Sequence, residues 1–290
     1  MDVVQLNAET GESWTAYDEL GELRVWATSF TGRYGFRTST PPGTVVMQIN
    51  SGRHGSKRVG GIELQGSDIL AGFAGLDLTG VVNRQQRGTS FVMPLESVTS
   101  AMADRAPGSE RLIRGTSPLI VSSRARVDAA SRLIDAAMCL ENVHDRLLAS
   151  SDVVDILVGT LLSPWHAATD ATFRVPTFQR LPIVQRAEEF MRARLGDPLT
   201  LQDICRAARA SQRSVEYAFS GTYGMGPKQY LKALRLNAVW HTLGSQATKA
   251  EKIKEVARRH GLWHMGHLSD DYYRVFGETP RQTRARRRLR

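Results

Sequence analysis

The sequence of 290 residues predicts an α+β protein of two domains: an antiparallel β barrel or sandwich followed by helices, and then an all-α domain. Short apolar segments alternate with turn residues up to about residue 93, and the apolar spacing becomes helical from Arg126 onward. Pro164, Pro176 and Pro182 then mark a segment that has neither the strand pattern nor the helical spacing. We therefore expect a first domain at 1–163, a linker at 164–181 and a second domain at 182–290.

The first domain is predicted to contain β-strands because its branched and aromatic residues occur in short runs. Turn signals such as Pro41-Pro42-Gly43 and the Gly60-Gly61 pair separate these runs. Strands at such close spacing are typical of an antiparallel sandwich or barrel. The predicted strands are 23–30, 45–49, 62–64, 69–73, 79–83 and 90–93.

Two amphipathic helices are predicted after these strands, within 126–162. Their apolar positions are Val127, Ala130, Ile134, Ala137 and Met138 in the first, and Val153, Ile156, Leu157 and Leu161 in the second. Such faces either pack on their own barrel or form an interface with a second subunit, which would make a homodimer. The spacing leaves both arrangements open.

Composition and motifs argue against several classes of protein. Apolar runs end near ten residues, as at 153–162, and the N-terminus lacks a basic flank, so we expect a cytoplasmic protein without a membrane span or secretion signal. Cys139 and Cys205 lie far apart on apolar stripes and are expected to be reduced core residues.

The first domain also lacks the usual signs of an active site. His54, His144 and His166 are too scattered to provide paired metal ligands. There is no nucleophile motif and no phosphate-binding glycine loop before a helix. The sequence therefore predicts neither an enzyme nor a bound cofactor or metal.

Charge divides the chain unevenly. Residues 180–290 contain 22 Lys and Arg against 10 Asp and Glu, a net charge of +12, whereas residues 1–179 have a net charge of −3. A compact basic domain is typical of a protein that binds a polyanion such as DNA. Charge alone equally permits basic residues that only keep the domain in solution.

The second domain contains a helical unit twice, at about 201–223 and 252–276. In the first unit Thr200 and Asp203 form a capping-box signature, a tight turn follows at Arg209, and Ser211 can cap the next helix. In the second unit Gly261 can end the first helix. The second helices end alike, at Tyr223-Gly224-Met225-Gly226-Pro227 and Phe276-Gly277-Glu278-Thr279-Pro280.

A long helix from Pro227 to Gly244 joins the two units. At 1.5 Å per residue it would span about 25 Å, which could set two reading helices about one duplex turn, near 34 Å, apart. Paired helix-turn-helix units on a rigid spacer in a basic domain predict nucleic-acid binding rather than a purely structural bundle.

Residues 181–284 resemble the DNA-binding domain of AraC/XylS-type transcription regulators. The motifs are Leu199-Thr200-Leu201-Gln202-Asp203-Ile204, Pro227-Lys228-Gln229-Tyr230-Leu231, Arg235-Leu236, Gly261-Leu262-Trp263-His264-Met265-Gly266-His267-Leu268 and Phe276-Gly277-Glu278-Thr279-Pro280. The resemblance implies double-stranded promoter DNA and RNA polymerase as partners, a small-molecule effector, and activation rather than repression. Arg209 departs from the turn glycine usual in the family, so some backbone strain is expected there.

Helix geometry assigns roles within the two units. Arg213 is the foremost candidate for base reading because arginine can bond guanine O6 and N7 together, whereas Asp270 would repel DNA. Trp263 is either a packing wedge or a backbone contact, and the terminal arginines from Arg284 form a basic tail. The base-reading candidates are Gln212, Arg213, Ser214, Glu216 and Tyr217, then His264, Met265, Gly266 and His267; the phosphate-contact candidates are Ser211, Lys228, Arg235, Arg274 and Arg281.

Three apolar residues of the first domain are candidates for an effector site. Trp26, Met47 and Phe73 could line a cavity in the barrel, or simply pack in its core. Two other functions remain open: an architectural DNA-binding protein without an effector, and an enzyme domain fused to a DNA-binding module.

Overall fold

The computed structural model confirms the predicted class, with antiparallel sheets first and helices after them. The residues that the structure describes are 2–8, 14–50, 56–64, 68–73, 75–83, 86–114, 119–122, 150–162, 172–174, 180–245 and 251–286.

Twelve strands of the described residues form two antiparallel sheets. A five-stranded sheet has the order β1-β4-β9-β6-β7, and a seven-stranded sheet has the order β12-β11-β8-β5-β10-β3-β2. The strands are β1 Asp2–Asn7, β2 Trp14–Leu20, β3 Leu23–Phe30, β4 Arg33–Ser39, β5 Thr44–Asn50, β6 Ser56–Val59, β7 Ile62–Leu64, β8 Asp68–Phe73, β9 Asp77–Asn83, β10 Gln86–Pro94, β11 Leu119–Ser122 and β12 Thr172–Arg174.

All six predicted strands are present, as β3, β5, β7, β8, β9 and β10. The other six strands were not predicted; in β2, β4 and β6 polar residues interrupt the apolar pattern. β6, for example, reads Ser-Lys-Arg-Val and gains its stability from pairing with β7 and β9 rather than from its own composition. β12 lies inside the predicted linker, where it pairs with β11.

The described helices are α1 Leu95–Arg105, α2 Ser150–Leu161, α3 Leu181–Ala193, α4 Leu201–Ala208, α5 Gln212–Tyr223, α6 Pro227–Leu243, α7 Ile253–Arg259, α8 Leu268–Phe276 and α9 Pro280–Arg286. Helix α2 was predicted. Its apolar face packs with α1 on the seven-stranded sheet, which is the first of the two predicted alternatives, packing on the chain's own β-sheet domain. Helix α1 was not predicted. The helix predicted from Val127 to Met138, Cys139 included, lies outside the described residues.

The core has distinct layers. Helices α1 and α2 cover the outer face of the seven-stranded sheet, while α3, α5 and α6 pack on the five-stranded sheet through Val4, Leu6 and Val81. A further apolar layer lies between the two sheets and contains Phe36, Leu70 and Val82 among others. The N-terminal domain is therefore a sandwich with helices on both outer faces.

The first helical unit follows its sequence signals closely. Thr200 and Asp203 form the complete capping box, and the Ser211 hydroxyl accepts a hydrogen bond from Ser214 N at 3.2 Å. Arg209 has φ 52° in the left-handed region, where a side chain costs about 1 kcal/mol. The strain expected at this turn is thus present.

In the second unit, the second helix was expected to follow Gly261 closely and to run to Phe276, but it starts later. A 3-10 turn at Met265–His267 comes first, and α8 begins only at Leu268. Gly266 disfavours helix, whereas Asp270 and Asp271 favour a helix N-terminus at this point because they complement its dipole.

A buried carboxylate joins three helices of the C-terminal domain. Glu188 on α3 is fully buried and accepts hydrogen bonds from Tyr223 Oη on α5 at 2.8 Å and from Tyr230 Oη on α6 at 2.7 Å. Arg192 supplies the countercharge at 2.7 Å. Burial raises the pKa of both tyrosines, so they remain donors to the carboxylate.

We expect Glu188→Ala to lower the free energy of unfolding by about 3 kcal/mol, because it leaves two buried hydroxyls and a guanidinium without their acceptor. Urea unfolding of the full chain measures this loss. Glu189→Ala is the matched control, since the Glu189 side chain is 57% exposed and its ion pair with Arg37 should contribute at most about 1 kcal/mol. Equal losses in the two variants would contradict the central role of Glu188.

Candidate nucleic-acid interface and interior cavity

The N-terminal half of α5 presents the predicted base-reading side chains to solvent. Gln212, Arg213, Glu216 and Tyr217 are exposed, and Ser214 is half-buried. The opposite face of the helix packs into the core through Val215, Ala218 and Phe219. The structure therefore brings the first predicted set together on one accessible surface.

These side chains contact one another along the helix. The guanidinium of Arg213 lies 5.6 Å from the Tyr217 ring centroid, and that of Arg180 lies at the same distance. Gln212 donates a hydrogen bond to Glu216 at 2.9 Å. Exposed contacts of this kind are weak, so the side chains can exchange them for contacts with bases.

The second predicted set lies before α8 rather than on it. His264, Gly266 and His267 are exposed, and the 3-10 turn contains Met265. Trp263 is 43% exposed, and the guanidinium of Arg235 lies 5.7 Å from its ring centroid.

The predicted phosphate contacts divide into two groups. Lys228, Arg274 and Arg281 are exposed; Ser211 is also exposed and already caps α5. Arg235 is half-buried instead, and its guanidinium donates hydrogen bonds to Leu195 O at 3.0 Å and Asp197 O at 2.5 Å. Through these hydrogen bonds, Arg235 links α6 to the turn between α3 and α4.

The N-terminal domain donates hydrogen bonds to backbone carbonyls near the C-terminal ends of α5 and α8, the second helices of the two units. Arg33 donates a hydrogen bond to Tyr223 O, and Arg58 donates one to Gly221 O at 3.3 Å. At α8, Ala8 N donates to Arg274 O at 3.1 Å. Cationic donors at a helix C-terminus stabilise its unpaired carbonyls.

The connecting helix α6 is held by the same domain. Asn237 accepts from Gln5 N at 2.9 Å and donates to Gln5 O at 2.8 Å, so its side chain pairs with the backbone of β1. Sequence reasoning missed Asn237, Arg33 and Arg58 because their partners are more than 150 residues distant. A buried asparagine on the apolar face of α6 was the one available signal.

A cavity of about 290 Å³ lies between the two sheets. Trp26 lines it, together with Phe30 and Phe36. Met47 and Phe73 do not line it: their side chains point to the opposite face of the seven-stranded sheet and belong to the core beneath α1 and α2. The alternation of side chains along a strand explains this placement, since neighbouring Val46 and Gly72 face the cavity.

Lys57 on β6 is the one charged side chain among the described residues that line this cavity. Its ammonium donates a hydrogen bond to Gln48 Oε1 and lies 4.7 Å from the Phe36 ring centroid. Burial lowers the pKa of Lys57 to about 7. The next residue, Arg58, points to the other face and reaches α5, so one short strand contacts both the cavity and the predicted reading helix.

The part of the chain that the structure describes contains neither a candidate metal site nor a candidate membrane-spanning helix. No group of three or more side chains there is placed to hold a metal ion. None of the described helices combines the length and apolar character needed to span a membrane.

Comparison with known proteins agrees with the double helical unit. A family model described as a helix-turn-helix domain matches residues 204–286. The probable thc operon regulatory protein of Rhodococcus erythropolis is 26% identical over 137 residues, which are 46% of this chain and 40% of that protein. The XylDLEGF operon transcriptional activator 3 of Pseudomonas putida is 27% identical over 109 residues, 38% of this chain and 33% of that protein.

Among solved structures, a transcriptional regulator from Chromobacterium violaceum with an AraC-type DNA-binding domain is 30% identical. The match covers 37% of this chain and 92% of that chain, with a TM-score of 0.34. This chain thus spans well under half the length of the two curated relatives. The C-terminal domain is thus a helix-turn-helix domain of the AraC type, similar to those of XylS-type transcriptional activators.

The buried lysine predicts an unusual stability effect. We expect Lys57→Met to raise the free energy of unfolding by about 3 kcal/mol at pH 6, because burying the ammonium disfavours the folded state. The pKa of Lys57 is about 7 in the folded chain against 10.5 for an ordinary lysine, so the cost is complete below pH 7 and disappears as the pH rises towards 10.5.

Urea unfolding at pH 6 and pH 9.5 tests this expectation. The gain from Lys57→Met should be clearly smaller at pH 9.5. Lys254→Met, at an exposed position on α7, should change neither value. A gain that is independent of pH would show that Lys57 is not a buried cation.

Proposed function

We propose that this chain is a sequence-specific, effector-responsive transcription activator that binds promoter DNA in the cytoplasm and acts together with RNA polymerase. The observation that carries the proposal is the exposed N-terminal half of α5, with Arg213 on its outer surface, in a segment, 180–290, of net charge +12. The similarity of the C-terminal domain to the helix-turn-helix domains of transcriptional activators supports the same conclusion.

Base reading is assigned mainly to α5. Arg213 would bond O6 and N7 of a guanine in the major groove, and Glu216 would accept a hydrogen bond from a cytosine amine. The second segment, His264–His267, has few groups that distinguish bases, and exposed Asp270 lies just after it. We expect it to respond more to the shape of the groove than to base identity.

Phosphate contacts would position the domain without reading sequence. Lys228, Arg274 and Arg281 are exposed and suited to this role, and the N-terminus of α5 beside Ser211 offers backbone N–H groups to a phosphate. Arg235 is better assigned to structure, because its guanidinium is already bonded to two carbonyls.

An effector would act through the contacts between the domains. The cavity and α5 are connected by β6, whose Lys57 faces the cavity and whose Arg58 bonds Gly221 O. A ligand shifts the arrangement of the reading helices only if it binds one arrangement more tightly than another. The contacts of β6 and β1 with the ends of both helices provide a physical route for such a difference.

We expect Arg213→Ala to reduce affinity for the natural upstream site by about 1 to 3 kcal/mol, with the loss confined to one base position. Footprinting and competition with single-base variants of the site measure this. Equal loss on every sequence would contradict base reading by Arg213.

Lys228→Ala is the matched comparison for a phosphate contact. Its affinity should fall to a similar extent on all sequences, and the slope of log affinity against log salt should decrease by about one. If wild-type protein binds scrambled duplexes as tightly as its upstream region, the protein is architectural and the proposed function is wrong.

A further inference from the structure

The two helical units have separate apolar cores that meet along α6. Leu231 and Leu234 of α6 belong to the cluster formed with α3, α4 and α5, whereas Leu236 and Val239 belong to the cluster formed with α7 and α8. Arg235 lies between the two sets. These clusters stabilise each unit by itself, so the position of one unit relative to the other depends on the contacts made at their boundary.

Arg235 contacts both units from this boundary. Its guanidinium donates hydrogen bonds to Leu195 O at 3.0 Å and to Asp197 O at 2.5 Å, in the turn before α4. It also lies 5.7 Å from the ring centroid of Trp263, the residue just before the second predicted reading segment. A planar guanidinium can bond two carbonyls and stack on a ring at once, whereas a lysine ammonium lacks this geometry. One side chain therefore connects the turn of the first unit to the reading segment of the second.

The backbones of the two units also approach closely beside Arg235. Gly261 has φ 77°, and a Cβ atom there would overlap Leu195 O and lie 2.7 Å from Arg235 Nε. On the facing turn, a Cβ atom at Gly196 would lie 2.8 Å from Arg259 O. The absence of side chains at these two glycines lets the turn before α4 contact the turn after α7. Contacts packed this closely resist displacement.

An ion pair of lesser weight accompanies this joint. Lys232 on α6 lies 2.5 Å from Asp271 on α8, but the Lys232 side chain is about half exposed, so salt should screen the pair. Arg235 is half-buried, and the acceptors of its hydrogen bonds are neutral carbonyls. Its contacts should therefore persist at the salt concentrations at which DNA binding is measured.

From these contacts we propose that Arg235 is a positioning residue that fixes the second helical unit against the first and thereby determines which spacing between two half-sites the chain accepts. The inference rests on the proposed function, in which both units contact one duplex. Successive base pairs are about 3.4 Å apart, so a shift of that size between the units changes the register of one unit by a full base pair. A rigid joint rejects a site lengthened by one base pair, and a loosened joint accepts it.

Spacing variants of the natural site test the proposal. Footprinting of the full chain on its upstream region locates the two protected half-sites, and one base pair is then inserted or deleted between them. We expect the wild-type chain to bind these altered duplexes at least tenfold more weakly than the natural one. Arg235→Ala should reduce this penalty to less than threefold. Arg235→Lys should do the same, because lysine keeps the charge but not the paired hydrogen bonds.

Two further variants separate the joint from other effects. Arg194→Ala is the matched control: Arg194 is exposed beside the same turn, its guanidinium lies 5.4 Å from the Phe190 ring centroid, and the variant should keep the full penalty. Gly196→Ala leaves Arg235 in place but forces the two turns apart, so it should lower the penalty. Circular dichroism shows which variants fold, and Gly196→Ala decides the question if Arg235→Ala does not.

The proposal is overturned if Arg235→Ala and Gly196→Ala keep the tenfold penalty. It is also overturned if Arg235→Ala loses affinity equally at every spacing and lowers the salt dependence, which would identify Arg235 as a phosphate contact.

Failure of this inference is distinguishable from failure of the proposed function. Wild-type protein that prefers its upstream region to scrambled duplexes but binds all spacings alike would refute the role of Arg235 and leave sequence-specific binding intact. Wild-type protein without any such preference would refute the proposed function, and this inference with it.

Discussion

The buried carboxylate of Glu188 is the constraint on which the first helical unit depends. One side chain on α3 accepts hydrogen bonds from the last residue of α5 and from the first turn of α6, so it fixes the direction in which both helices leave the core. The neighbouring residue, Glu189, faces outward and pairs with Arg37 of the N-terminal domain at 2.7 Å. Two consecutive residues on α3 therefore connect the reading helix to its own core and that core to the five-stranded sheet.

Most of the helical domain could be predicted from the sequence because its signals are local. The capping box at Thr200, the serine cap at Ser211 and the apolar stripe of α6 each lie within a few residues of the structure they specify. The start of α8 was misplaced, since Gly266 opposes helix formation while the apolar spacing around it suggests a helix. Helices α3 and α9 were not predicted individually, and the first residues of the expected basic tail belong to α9.

The N-terminal domain was harder to predict because its determinants are distant in sequence. β4 and β6 contain arginine, lysine and serine and become strands only because β9 lies between them. The same limitation applies to the cavity: Trp26, Met47 and Phe73 are equally apolar, and only the register of the strands decides which of them faces inward. Lys57 could not be recognised as a cavity residue until β6 was paired with its neighbours.

The brevity of β6 has a consequence for how this sequence can change over time. Successive side chains of a strand point to opposite faces of the sheet. Inserting or deleting one residue in the strand before Lys57 would therefore exchange the faces to which Lys57 and Arg58 point. The guanidinium would then enter the interior, and the shorter lysine would face the end of α5. Single-residue insertions and deletions should therefore be tolerated far less within this four-residue strand than in the surface turns of the sandwich.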